Sequence, residues 1–159
     1  MLSSTATKWV VGALLSLLLS LPLLSLSAKP LCRVDPLWET IQGFPYVWGG
    51  SEVSHKGFDC SGAIHYISKR MGTPIPRTTS ARMYLFIKGY DLHWSEAGCG
   101  DLVWFTFTPN RPFGHIGMHS DSRTFWHSGS STGPTKAALR QGGYWDGIFE
   151  ASKPFGGNH

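Results

Sequence analysis

Residues 59 to 72 read DCSGAIHYISKRMG, and the apolar side chains Ala63, Ile64, Ile67 and Met71 recur at intervals of three and four. That spacing gathers them on one face of an α-helix over residues 60 to 71. Asp59 is a good N-cap, Gly72 supplies the stop, and TPIPRTTS behind it cannot continue a helix through two prolines. Similar punctuation recurs along the chain. With 19 glycines and 10 prolines in 159 residues, turns must be frequent and strands short.

The same reading finds helices first and strands later. DPLWETIQG (35–43) has Pro36 near a helix start, Leu37, Trp38 and Ile41 at helical spacing, and Gly43 as a stop. FPYVWGGSEVSHKGF (44–58) reads as loop, and SARMYLFIKG (80–89) as a short helix capped by Ser80. After AGCGD the pattern changes: LVWFTF, HIGMH, TFWHS and finally GIFEASKPF are strand-like. Helices packed on one antiparallel sheet predict an α+β domain.

The first 28 residues have a different character. MLSSTATKWVVGALLSLLLSLPLLSLSA carries Lys8 as its one charge, an apolar run from Trp9 to Leu24 broken by Pro22, and then small residues. This is the pattern of a signal peptide, with cuts expected after Ser27 or Ala28. A retained anchor is the alternative, but the run falls short of the ~20 apolar residues of a spanning helix. Membrane contact is therefore expected only if this segment is retained. The residues AKPL before Cys32 are not the small residues that lipidation of a cysteine needs. The expected organisation is a signal peptide over 1–28 and one domain over 29–159, exported to the periplasm or secreted.

Charge and composition limit the classes of function. The full chain has a net charge of +4; without Lys8 it is +3. That balance suits an anionic target such as a bacterial wall. No cluster of Lys and Arg forms a stripe, so no nucleic-acid partner is expected.

Three cysteines, Cys32, Cys60 and Cys99, leave an odd thiol in an exported chain. Cys60 falls at the first position of the helix after Asp59, where unpaired N–H groups and the helix dipole favour a thiolate. An ordinary buried cysteine would fit the same place. A base would distinguish them, and the pair His115 and His127 offers one. If HIGMH and TFWHS form a hairpin with a three-residue loop at 120–122, His115 faces His127 across adjacent strands, with β-carbons about 5 Å apart. One ring can then fix the tautomer of the other. A metal site is the rival use. His115 and His119, four strand residues apart, are separated by about 13 Å, too far to share one ion. The chain has no C-x-x-C pair and no phosphate-cradling glycine loop, so neither metal nor cofactor is expected.

PYVWGG, GFDCSG, PIPRTTS, GDLVWF, GHIGMH and FWHSG, in that order over residues 35 to 155, resemble the NlpC family of cell-wall cysteine peptidases. The tail YWDGIFEA is similar to the family's last strand. The resemblance implies a compact papain-like fold, with the nucleophile at a helix N-terminus packed on a small antiparallel sheet. It also implies hydrolysis of the bond between γ-D-glutamate and diaminopimelate in peptidoglycan stem peptides, through a Cys-His-His triad and a thioester. Carried over, Cys60 is the nucleophile, His115 the base and His127 the residue orienting it. Tyr46 matches a tyrosine whose hydroxyl lies by the nucleophile, and the N–H of Cys60 or Ser61 would hold the oxyanion. Arg77, in PIPRTTS, either reaches a peptide carboxylate or caps local carbonyls.

The chain departs from the family at ARM after RTTS, where glutamine is common, and at Cys99 and Gly100, near a common proline. With Cys60 assigned, parity pairs Cys32 with Cys99; three free thiols remain the alternative. The expected partner is the stem peptide, on which the protein acts as a monomer without cofactor. An amidase cutting the muramoyl–alanine bond, an acyltransferase with the same triad, and a wall-binding module without activity stay open as other readings.

Overall fold

The computed structural model describes residues 32–155; the expected signal segment lies outside them. Among these residues three α-helices precede the main sheet: α1 (Asp35–Glu39), α2 (Cys60–Arg70) and α3 (Ser80–Phe86). Between α1 and α2, strands β1 (Ser51–Glu52) and β2 (Gly57–Phe58) pair as a small antiparallel ribbon. This ribbon lies in the segment read from sequence as loop. Five further strands follow: β3 (Leu102–Phe105), β4 (His115–Asp121), β5 (Thr124–Gly129), β6 (Gly133–Ala138) and β7 (Phe149–Lys153). They form one antiparallel sheet in the order β6-β5-β4-β3-β7.

Alternation along the strands builds two cores, one on each face of the sheet. Leu102 and Trp104 of β3, Ile116 and Met118 of β4 and Trp126 of β5 pack with Ala63, Ile64 and Ile67 of α2. Val103, Phe105 and Phe125 point the other way and pack with Trp94, Leu139, Trp145 and Phe149. Both faces are covered, which is why LVWF is buried at all four positions.

Local sequence accounts for the placement of α2. The Asp59 carboxylate accepts a hydrogen bond from the Gly62 N–H at 2.6 Å, capping the helix. Gly62 permits its close approach to the ribbon, because a β-carbon there would lie 1.9 Å from the Gly50 carbonyl oxygen. A disulfide joins Cys32 to Cys99 with a Cα separation of 5.5 Å, tying the segment before α1 to the approach to β3.

Four further details differ from the sequence reading. Thr79, not Ser80, caps α3, its side chain accepting from the Arg82 N–H. β6 was not expected, since GPTKAA opens on two turn-forming residues; it is an edge strand, where proline is tolerated. In YWDGIFEA only the part from Phe149 is strand, and Asp146–Ile148 is a 3-10 turn. The β4–β5 hairpin is also shifted. Asp121 pairs with Thr124, and its carboxylate accepts from the N–H groups of Arg123 and Thr124, closing a two-residue loop. The register then shifts between His119 and Asp121, and His127 faces Gly117, not His115.

Candidate active site

Cys60 is the free cysteine among the described residues, 9% exposed at the first turn of α2. Backbone donors do assist its thiolate: the N–H of Ile116 on β4 and, at the helix start, those of Ser61 and Cys60 itself favour the charged sulfur. Burial outweighs them, with the neighbouring Asp59 carboxylate adding to it, and the thiol is pushed up to about 11. Sequence reasoning from the helix dipole gave the opposite direction. It had no means of weighing desolvation.

The two histidines meet despite the shifted register. His115 on β4 and His127 on β5 lie on one face in diagonal positions, with Gly117 between them offering no side chain. A β-carbon at Gly117 would lie 2.6 Å from the Phe125 ring, so glycine is required there. His115 Nε2 and His127 Nδ1 are 3.0 Å apart, and the ring planes cross at 81°. Both rings are 5% exposed. Burial drives His115 down to about 3, reinforced by His127, and burial alone drives His127 down to about 4. Between those values and about 11, the cleft holds a neutral thiol and neutral imidazoles.

An aromatic wall causes this desolvation. Trp145 stacks against His115 at 5.8 Å between ring centroids and meets His127 edge-on at 4.9 Å. Phe105 and Phe107 flank His115, and Phe125 flanks His127. Asp146 pins the Trp145 turn by accepting from Trp94 Nε1 at 2.7 Å and from the Gly142 N–H at 2.8 Å. Trp145 was missed from sequence. It stands next to Asp146, 18 positions beyond His127, and no local pattern signals a contact made through the tertiary fold.

Arg77 holds the turn that presents Cys60. Its guanidinium pairs with the Asp59 carboxylate, donates to Ser61 Oγ at 2.8 Å and donates to the Thr78 carbonyl at 2.9 Å. Asp59 in turn accepts from Ser61 Oγ at 3.0 Å and from the Gly49 N–H at 2.9 Å. Of the two roles open for Arg77, the local one is realised, with a carboxylate of the chain in place of a substrate's. Tyr46 lies within electrostatic reach of Cys60 and Asp59; burial first, then those two groups, raise its hydroxyl to about 12.

One cleft of about 1220 Å³ is lined by Tyr46, Cys60, Ser61, Arg77, His115 and His127. Exposed Trp48, Phe107 and Tyr144 stand on its walls. The arrangement combines a shielded thiol, an imidazole pair able to pass a proton, and N–H groups directed at the sulfur. Among the described residues no group of three His, Cys, Asp or Glu side chains could hold a metal ion.

Comparison with known proteins gives a consistent result. A family model described as the NlpC/P60 family matches residues 43–151. The chain is similar to the bifunctional muramidase/DL-endopeptidase CwlT of Bacillus subtilis, 33% identical over 127 residues, covering 75% of this chain and 37% of the relative. It is also similar to the murein DD-endopeptidase MepH of Escherichia coli, 37% identical over 87 residues, covering 54% of this chain and 31% of the relative. The chain thus spans about a third of the length of these curated relatives. Among solved structures, an NlpC/P60 family protein from Bacillus cereus superposes with a TM-score of 0.62 at 25% identity, covering 79% of this chain and 41% of that one.

Proposed function

This chain belongs to the NlpC/P60 family, and we propose that it is a peptidoglycan hydrolase, a cysteine endopeptidase that cuts stem-peptide amide bonds between D-glutamate and diaminopimelate. The observation that carries the reading is the meeting, in one cleft, of the Cys60 thiol at a helix start with an imidazole pair joined at 3.0 Å. The DL-endopeptidase named among the similar proteins supports the choice of bond.

In this mechanism the proton between the rings sits on His115 Nε2 and is donated to His127 Nδ1. His115 Nδ1 is then the lone pair available as base. The Cys60 sulfur attacks the scissile carbonyl carbon as its proton passes to His115 Nδ1, because the neutral pair must transfer the proton during attack. The oxyanion is held by the N–H groups of Cys60 or Ser61, with the Tyr46 hydroxyl as a further donor. Collapse breaks the C–N bond, and His115 returns its proton to the leaving amine. Water, deprotonated by His115, then attacks the thioester; a carboxylic acid leaves, and the proton restores the thiol. His127 keeps the base in its useful tautomer.

The reading extends to an exported monomer acting in the periplasm or outside the cell. A disulfide between Cys32 and Cys99 supports an oxidising compartment. The test is digestion of purified peptidoglycan by the protein and by Cys60→Ala, with product masses measured. Fragments ending at D-glutamate, absent with Cys60→Ala, are expected. Cysteine-dependent cleavage at the muramoyl–alanine bond or a DD crosslink would replace the proposed bond, and activity retained in Cys60→Ala would overturn the mechanism.

A further inference from the structure

We propose that Arg111 is a specificity-determining residue of the cleft, binding a free carboxylate of the substrate beside the scissile bond. The inference rests on the proposed stem-peptide reading and assigns part of its recognition.

Three cations line the cleft: Arg77, Arg111 and Lys136. Arg77 is committed to Asp59, Ser61 and Thr78. Lys136 pairs with Asp35 at 2.9 Å and sits over the Trp126 ring. Among the described residues the guanidinium of Arg111 has no hydrogen-bond or ion-pair partner. It is exposed, and it is close enough to Tyr46 for its charge to act on that hydroxyl. Asp59 is the one carboxylate on the cleft wall, and Arg77 already neutralises it. A ligand carboxylate entering near Tyr46 would therefore meet one open cation and no open anion.

The loop carrying Arg111 is built to hold that position. It joins β3 to β4 and ends at His115, so its geometry is fixed relative to the proposed base. Phe113 adopts φ +53°, a left-handed conformation that costs a non-glycine residue energy. Two contacts maintain it: the Phe113 ring stacks on Tyr84 with centroids 3.9 Å apart, and its N–H donates to Thr106 Oγ1 at 3.0 Å. A tight turn, with the Arg111 N–H donating to the Thr108 carbonyl at 2.9 Å, then lifts Arg111 to the rim.

The substrate chemistry supplies the matching group. A glutamate linked through its γ-carboxyl keeps its α-carboxylate free, close to the bond being cut, and diaminopimelate within the stem carries one free carboxylate on the leaving side. Arginine binds such groups in a planar, two-pronged geometry that an amide does not satisfy. The shared chemistry is a carboxylate, and amidation of either residue would remove it.

The test measures binding separately from cleavage. A stem tetrapeptide with all carboxylates free, one amidated at the glutamate α-carboxyl and one amidated at diaminopimelate are titrated into Cys60→Ala and into Cys60→Ala with Arg111→Gln. The free peptide is expected to lose about tenfold or more in affinity with Arg111→Gln. One of the two amidated peptides should bind both proteins alike, within about twofold, and which one it is identifies the carboxylate. Equal loss on all three peptides, no loss on the free peptide, or no binding of any peptide would overturn the inference. Arg111-dependent binding without turnover by the unsubstituted protein would uphold the inference and reject the endopeptidase reading.

Discussion

His115 and His119 sit on the same strand and the same face, and both are buried. Burial lowers both, to about 3 and about 4. Their partners separate them. His119 Nδ1 lies 3.1 Å from the Asp121 carbonyl oxygen and Nε2 lies 3.0 Å from Ser152 Oγ, so both nitrogens are held inside the fold. His115 gives one nitrogen to another titratable ring and lines the cleft that also contains Cys60. A perturbed imidazole is thus no sign of function by itself. What differs is whether a proton has somewhere to go.

Substitutions can break that comparison. The largest effect belongs to Cys60→Ala: turnover of a stem peptide should vanish while the melting temperature stays near that of the unsubstituted protein, since the loss is one sulfur atom. A melting temperature that collapsed would mark Cys60 as a core residue. Next is His127→Ala, which leaves His115 without the ring proposed to orient it; kcat should fall about a hundredfold with a smaller change in KM. An unchanged kcat would remove His127 from the mechanism.

Acid stability treats all three histidines alike, which sharpens the contrast. Their folded values lie below the ordinary 6.5, at about 3 for His115 and about 4 for His119 and His127. The unfolded chain therefore binds more protons between about pH 4 and 6.5. Stability from these groups is full above that window and is lost as pH falls through it, by up to about 1.4 kcal/mol per pH unit for each ring. Denaturant titrations from pH 7 to 4 should show this slope, and His119→Gln should reduce it by about one proton. A flat profile would mean that the rings are not desolvated as their packing implies.

Trp145→Ala has the smallest expected effect. Opening the aromatic wall to water should raise His115 toward its ordinary value by about one pH unit, moving the acid limb of kcat/KM upward. A limb that stayed in place would assign the shielding to Phe105, Phe107 and Phe125 instead.

These residues also indicate what was legible in the chain. Helix α2 and its cap could be read because spacing and capping are local, and the ordered motifs from PYVWGG to FWHSG carried the family and the α+β fold. The β4–β5 register could not be read in the same way. It depends on the Asp121 side chain closing the turn and on the register shift between His119 and Asp121, which together place Gly117 rather than His115 opposite His127. Edge strand β6 was hidden by Gly133 and Pro134, whose usual meaning is a turn. Trp145 and the upward shift of Cys60 depend on packing between segments distant in sequence. Local pattern carries no such information.

The most direct test of the proposed proton path is stem-peptide turnover by His115→Ala and His119→Ala, measured together at pH 7.5 and normalised to the folded fraction. His115→Ala should lose at least about a thousandfold in kcat, within the range for removal of a general base. His119→Ala should stay within about twofold per folded molecule while losing about 2 kcal/mol of stability through the unpaired Ser152 hydroxyl. Equal losses in kcat from the two substitutions, or the larger loss from His119→Ala, would contradict the assignment of His115 as the base.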